Sequence, residues 1–336
     1  MNITTLIQKG IAHIASLPPA NWQEADAVLP LTVPLIAEDY PAKTAVMWNA
    51  AYERFGLPDR NMMLVADPKD IVTIVQALHE DSRYQGGGVG VGFKEAIIPH
   101  LDDITQLAKA MGAVNIIRRV DGKLVGDNTD GEGYVHSLEN VLAEGGVSLT
   151  GAPIVMLGAG GSGRAIAFAL ANKGARLTIL NRTEAKAREL ADTMNRYFDE
   201  LIAIGGGREM LATAILETKA IVSVIDDAVS PLDAYSTIGE MGLPVTPESI
   251  AQNLRTTKQL LEKVDRSVVI SDIRIRKGST VMLMQAKELG FRTLDGIPMV
   301  VNQGVAAFWW LYSAQLAQDG ISQADVTEVM RQAAGL

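Results

Sequence analysis

Cysteine is absent from the 336-residue chain. That excludes disulfides, thiolate nucleophiles and thiolate metal sites, and it suits a reducing compartment. A basic surplus is missing as well. Lys and Arg total 30 against 39 Asp and Glu, and the net charge of −9 would repel a phosphate backbone or an anionic bilayer unless basic residues clustered. No such cluster is visible, so no nucleic acid and no membrane partner is expected, although an acidic chain can still build a local positive pocket around an anionic ligand. The four histidines, His13, His79, His100 and His136, show no ligand spacing, so no metal is expected. No run of ~18 uninterrupted apolar residues occurs. The opening MNITTLIQKGIAHIASLPPANW lacks a charged segment followed by a long apolar one. A cytoplasmic protein is the expectation.

What the chain does have is core-forming material. Hydrophobic residues make up 48% and charged residues 21%, which is ordinary for a globular protein, and the length exceeds what one hydrophobic core usually serves. Two domains are expected, with a cleft between them. The spacing predicts a helix over Thr44–Phe55 stopped by Gly56 and Pro58, a strand at Asn61–Val65 and a helix at Asp70–Leu78. A Gly-broken strand over Gly87–Phe93 follows, then the start of a helix at Lys94–Ile98. Ala113–Val120 and Lys123–Val125 flank Asp121-Gly122, a strong hairpin signal because Asp-Gly suits the positive φ angles of a type I′ turn. The alternation of β and α predicts α/β domains with a mostly parallel sheet.

After a helix near Tyr134–Leu142, Glu144-Gly145-Gly146 reads as a linker and Pro153–Leu157 as a fully buried strand. Directly behind that strand comes Gly158-Ala159-Gly160-Gly161-Ser162-Gly163, which satisfies G-x-G-x-x-G, and directly behind that the helix-forming Arg164–Asn172. Gly158 permits the tight turn, Gly160 removes a Cβ that would obstruct a pyrophosphate, and Gly163 lets helix and strand pack closely. The helix amino terminus offers unpaired N–H groups to phosphates. The next strand, Arg176–Leu180, ends at Asn181-Arg182-Thr183, where a dinucleotide fold meets the adenosine ribose. Arg182, Thr183 and, one turn on, Lys186 suit a 2′-phosphate, which a carboxylate at that strand end would repel. NADP is therefore expected, with NAD as the second option; Glu184 offsets part of that preference.

Two polar features remain. Lys94 sits where a strand would hand over to a helix, near the positive end of the helix dipole, and a lysine there can donate and accept protons. On residue type alone a solvated surface lysine is the commoner state. Gly126-Asp127-Asn128-Thr129-Asp130-Gly131 follows the hairpin, an Asx-rich loop without the later ligands of a calcium loop.

At these residues the chain resembles the shikimate/quinate dehydrogenase family. Phe93-Lys94-Glu95, Gly112-Ala113-Val114-Asn115, the Gly126–Gly131 loop, the Gly158–Gly163 loop, Asn181-Arg182-Thr183 and the closing Gly296-Ile297-Pro298-Met299-Val300-Val301-Asn302-Gln303 occur in that family's order, from about Thr44 to Phe308. The resemblance implies an amino-terminal substrate-binding and catalytic domain over 1–140. It implies a Rossmann domain over 141–301, with the carboxy-terminal helix, 302–336, packing back on the first. It implies Lys94 as acid/base with Asp130 as its partner, Asn115 and Gln303 as ligands of substrate hydroxyls, and Gly296 near the nicotinamide. The hydride chemistry belongs to the cofactor. A homodimer is left open.

Departures from the family concern the substrate carboxylate. The family's Ser-x-Ser pair aligns with Ala42 and Thr44, its threonine before the catalytic lysine with Gly90, and its tyrosine on a late strand with Ile275. The stretch near the nicotinamide becomes Ser223-Val224-Ile225-Asp226-Asp227. Anchoring hydroxyls are lost while Lys94 and Asp130 remain, so the pocket is not expected to prefer shikimate. Lys43, Tyr40 and Arg274 are candidate replacements. The leading expectation is an NADP-dependent dehydrogenase of a cyclic polyhydroxylated substrate. The alternatives are shikimate dehydrogenase proper with a rearranged carboxylate site, or a non-catalytic dinucleotide-binding regulator.

Overall fold

The apolar run Ile154–Leu157 has no polar alternation and hence no solvent face. In the computed structural model it forms the middle of a six-stranded sheet. The structure describes residues 1–15, 30–37, 43–90, 92–225, 234–240, 244–274 and 279–335. Pro18, Pro19, Tyr40, Ala42, Asp226, Asp227 and Ile275 lie outside them. The chain divides into two compact units, Met1–Asp130 with Val301–Leu336, and Gly131–Val300.

The second unit carries a wholly parallel sheet. Its spatial order is Ala203–Gly206, Arg176–Leu180, Pro153–Leu157, Ala220–Ser223, Val269–Asp272 and Arg292–Leu294. Numbered along the chain that order is 3-2-1-4-5-6, the doubly wound arrangement whose ligands bind at the carboxyl ends of the strands where the order reverses. The strand Pro153–Leu157 runs directly into the glycine loop there.

The first unit holds a mixed sheet in the order Arg60–Asn61, Leu31–Thr32, Tyr84–Gly88, Ile116–Val120, Lys123–Asp127 and Asp103–Ile104, and a small one of Ala12–Ile14, Leu64–Ala66 and Leu35–Ile36. Three of the five pairings in the larger sheet are parallel. The hairpin turns at Asp121 (φ 50°) and Gly122 (φ 79°), both left-handed as a type I′ turn requires.

Two expected elements differ. The strand expected over Asn61–Val65 is split, with Arg60–Asn61 in one sheet and Leu64–Ala66 in the other. The backbone of Asn61 is taken by a side chain: its N–H donates to Asn49 Oδ1 at 2.9 Å and its carbonyl accepts from Asn49 Nδ2 at 3.1 Å. That cap occupies the outer side of an edge strand, while on the inner side Met62 N–H still donates to the Thr32 carbonyl at 2.9 Å before the chain passes into the other sheet. The strand expected over Gly87–Phe93 ends at Gly88, leaving one bridge from Val89 to Leu35. Gly92 turns left-handed at φ 90°, and Lys94–Ile98 runs through turns into a short 3₁₀ segment, Ile98–His100, with no α-helix. Lys94 therefore sits at no helix amino terminus, and the dipole argument for it lapses.

The helix Thr44–Phe55 is capped by Gly56 at φ 67° and packs on Ile297–Gln318 through Trp48, Tyr52, Phe308 and Tyr312. Gly304 permits the approach: a Cβ there would lie 2.9 Å from Met47 Cε, and Trp48 Nε1 donates to the Gly304 carbonyl at 3.1 Å. Beneath these rings runs a buried polar chain. Tyr312 donates to Asp59 Oδ1 at 2.8 Å, Tyr52 lies 3.2 Å from the Tyr312 hydroxyl, and Thr32 lies 2.8 Å from that of Tyr52.

Burial holds the Asp59 carboxyl above its ordinary range, against the hydrogen bond from Tyr312. The folded protein therefore binds that proton more tightly than the unfolded chain does. The resulting stability is present below the unfolded carboxylate pKa and lost as pH rises through the folded one. Denaturant midpoints taken between pH 4 and 7 should fall for the native chain relative to D59N, which keeps an acceptor for Tyr312 and cannot ionise. Parallel pH dependence in the two proteins would contradict this. Y312F should cost about 1–3 kcal/mol, the penalty of leaving a buried partner unsatisfied.

Candidate active site

The loop Asp127–Asp130 follows a strand whose ladder partner is Ile116–Val120, so the end of the hairpin lies beside Ala113–Asn115. The backbone N–H of Asn115 donates to the Asp127 carbonyl at 3.0 Å, and the Asn115 carbonyl accepts from Val89 N–H at 2.6 Å. Val114 N–H in turn donates to the carbonyl of Lys94 at 2.8 Å. The end of the hairpin and the stretch that carries Val89 and Lys94 are thereby fixed by main-chain bonds to Val114-Asn115.

Side chains complete the fixing. Asn115, 8% exposed, accepts Thr129 N–H on Oδ1 at 2.8 Å and donates Nδ2 to Asp130 Oδ1 at 2.7 Å. Asn128 Oδ1 accepts Asp130 N–H at 3.1 Å while its Nδ2 donates to the Ala113 carbonyl at 3.1 Å. Asp127 Oδ1 accepts from Thr105 Oγ1 at 2.5 Å and from Asn128 N–H at 2.7 Å. The second carboxylate oxygen of Asp130 is left for Lys94, whose Nζ donates to Oδ2. Lys94 is 31% exposed and Asp130 15%. The ammonium thus keeps access to a ligand while its position is dictated by a carboxylate that is itself held from behind.

The other substrate-side residues are placed less closely. Thr44 is the first residue of its helix, half-buried. Gln303 lies half-buried in Ile297–Gln318, and its side chain makes no hydrogen bond among the described residues. Asn115, in contrast, has both side-chain atoms engaged by Thr129 and Asp130. At Gly90 a Cβ would stand 2.7 Å from Ile36 Cγ2 and 3.0 Å from the Leu35 carbonyl oxygen, so an apolar side chain fills the space a hydroxyl-bearing residue would need. Lys43 Nζ donates to the Ala334 carbonyl at 2.5 Å. The guanidinium of Arg274 is buried against Asp272, with its Nη2 donating to Oδ2 at 2.7 Å.

In the second unit the glycine loop has the geometry that its spacing predicts. Gly158 adopts φ 113°, a Cβ on Gly160 would meet nothing within 4 Å, and one on Gly163 would lie 2.9 Å from Val224 Cγ2 and 3.0 Å from the Gly158 carbonyl oxygen. Open space at Gly160 and contact at Gly163 are what a pyrophosphate cradle needs, and Gly161, Ser162 and Gly163 form the first turn of Gly161–Asn172. A pocket of about 350 Å³ opens beside the loop. It is lined by Ala159, Gly160, Asn181, Arg182, Thr183, Lys186 and Arg208, with Leu157, Leu180, Leu211, Ile225 and Thr237 as further walls. Asn181 Nδ2 donates to the Thr183 carbonyl at 2.9 Å, and Glu184 is engaged by Arg188. Gly296 lies immediately before Ile297–Gln318. These residues fit a phosphorylated dinucleotide. Sequence reasoning missed Arg208, whose signal, an arginine after Gly205-Gly206-Gly207, acquires meaning only once the third strand is known to lie beside the second.

Comparison with known proteins agrees with this geometry. Residues 41–117 match the shikimate dehydrogenase substrate binding domain, and residues 141–225 match the family described as shikimate / quinate 5-dehydrogenase. A shikimate dehydrogenase (NADP(+)) of Shouchella clausii is 32% identical over 265 residues, which is 78% of this chain and 86% of that protein. The fold is like that of the Listeria monocytogenes shikimate 5-dehydrogenase solved with shikimate and NAD (TM-score 0.74, 22% identity, 93% of this chain and 100% of that one). The ligand-free 5-ketofructose reductase of a Gluconobacter strain superposes with a TM-score of 0.66 at 27% identity, covering 90% of this chain and 98% of that one.

The dependence of the loop on one amide is testable without any ligand. N115A removes the acceptor of Thr129 N–H and the donor to Asp130, so it should destabilise the protein by about 1–3 kcal/mol. It should also increase hydrogen exchange at Thr129 and Asp130 more than elsewhere. Unchanged exchange in that loop would show that the main-chain bonds alone hold it.

Proposed function

Because this chain belongs to the shikimate dehydrogenase family, we propose that it is an NADP-dependent oxidoreductase acting on a secondary alcohol of a cyclic polyhydroxylated substrate. The observation that carries the reading is the Lys94–Asp130 contact, held by Asn115 and Asn128 and leaving the ammonium accessible. The nicotinamide, when bound, supplies or accepts the hydride. Lys94 Nζ handles the proton: in reduction it gives one to the carbonyl oxygen, and in oxidation it takes one from the alcohol oxygen. Asp130 keeps the lysine in place and balances its charge. Asn115 acts here as a positioning residue, since its amide is spent on the loop. Thr44 and Gln303 remain the side chains free to meet substrate hydroxyls. Retention of the whole lysine–carboxylate arrangement argues against a non-catalytic regulator, which would need none of it.

Substrate choice follows from what surrounds Gly90. Ile36 occupies the space that an anchoring hydroxyl would need, and in the same unit Lys43, a candidate replacement anchor, is engaged by the Ala334 carbonyl. A carboxylate brought there would lose water without recovering its hydrogen bonds. We therefore read the substrate as one without a carboxylate at that position. The Gluconobacter relative is named for 5-ketofructose, which has none.

Two measurements test these readings. K94A should lower turnover by about 10²–10⁴-fold with cofactor affinity nearly intact, and near-normal turnover would remove the lysine from the mechanism. Steady-state kinetics with NADP(H) should give shikimate a kcat/KM below ~10⁴ M⁻¹s⁻¹ and rank an uncharged ketose such as 5-ketofructose above it. A shikimate value at or above that level would restore the carboxylate substrate.

A further inference from the structure

The cofactor pocket contains one cation that neither its motif nor its spacing accounts for. Arg208 opens the 3₁₀ turn Arg208–Met210 directly after the third strand. That strand and the second are parallel neighbours in register, Leu180 opposite Gly206, and the Asn181 N–H donates to the Gly206 carbonyl at 3.2 Å. The two strand exits, Asn181-Arg182 and Gly207-Arg208, therefore leave the sheet side by side, and both arginines line the same pocket with Lys186.

Charge bookkeeping around the pocket is one-sided. Glu184 is engaged by Arg188, and Glu209 Oε1 accepts the Gly207 N–H at 3.2 Å. Among the described residues no carboxylate forms an ion pair with Arg182, Lys186 or Arg208. Among the described residues, Glu240 is an acidic group whose field reaches Arg208. Arg208 itself is oriented: one Nη2 N–H donates to the Ile238 carbonyl at 3.0 Å, and its other N–H groups have no partner among the described residues. Among the described residues the three cations converge on one pocket without an ion-pair partner, and their mutual repulsion is relieved when an anion binds between them. A ribose hydroxyl, as in NAD, needs one donor or acceptor. A phosphate dianion presents three oxygens, and a planar guanidinium held by one edge is suited to grip it with the other.

We propose that Arg208 is a third ligand of the 2′-phosphate of NADP, acting with Arg182 and Lys186 to set cofactor preference. The inference rests on the NADP reading above and adds to it a residue outside the strand-end motif. It also predicts which part of the cofactor is sensed. A guanidinium that instead lay over the adenine ring would help NAD and NADP alike.

Equilibrium binding to the full chain, by calorimetry, separates these cases with four ligands: NADP, NAD, 2′,5′-ADP and 5′-AMP. The native chain should prefer the phosphorylated member of each pair. R208A should weaken NADP and 2′,5′-ADP about tenfold to a hundredfold and leave NAD and 5′-AMP nearly unchanged, and R208K should recover part of the loss. Native preference that R182A abolishes and R208A leaves intact would overturn the role of Arg208 while sparing the cofactor reading. Equal losses for both members of each pair would also overturn it, placing Arg208 on the adenine or in the fold. A native chain that does not discriminate between the members of either pair would remove the NADP reading itself and this inference with it.

Discussion

The first unit's site depends on the Asn115 peptide and side chain. Its N–H and carbonyl tie the hairpin end to the strand that leads to Lys94, and its amide holds the backbone of Thr129 and the carboxylate of Asp130. A lysine and an aspartate 36 positions apart in sequence meet only because this residue is bonded to both neighbourhoods. In a buried setting each of those bonds is costly to leave unmade. The loop's conformation is therefore over-determined, and the lysine inherits a fixed position from groups it does not touch.

Much of this was legible in the sequence where local chemistry and tertiary demand coincide. Pro153–Leu157, Arg176–Leu180 and Thr44–Phe55 have the expected limits because each has a strong signal: an unbroken apolar run, a strand between two helices, or helical spacing closed by glycine. The glycine loop was legible for the same reason, since its φ angle and its close packing are properties of glycine itself. Differences arose where a backbone turn or sheet order, which spacing does not encode, decided the outcome. Asn61 and Leu64 join different sheets although they are three residues apart. Gly92 turns the chain before Lys94 can start a helix. The resemblance points Asn115 at the substrate, and the structure adds that its amide also holds its own loop. Arg208 was invisible because adjacency of strand ends is a fact of sheet order and not of spacing.

Net charge illustrates the difference between a global count and a local field. A chain carrying −9 overall still brings Arg182, Lys186 and Arg208 around one pocket. Over distances beyond about 10 Å the surplus acid is largely screened, so the ligand responds to the residues lining the pocket. Net charge excludes partners that need an extended basic surface. It says little about a site the size of one phosphate.

The contact between Gly90 and Ile36 constrains how this protein could change. Adding a hydroxyl-bearing side chain at position 90 alone would drive its Cβ into Ile36 and against the Leu35 carbonyl, which a packed core tolerates poorly. Shortening Ile36 alone would leave a void beside a glycine. Each single step is unfavourable, and even with Ile36 shortened the Leu35 carbonyl oxygen would stand 3.0 Å from a Cβ at position 90, so the main chain must give as well. A single substitution at either position meets a loss of stability before it gains any polar contact.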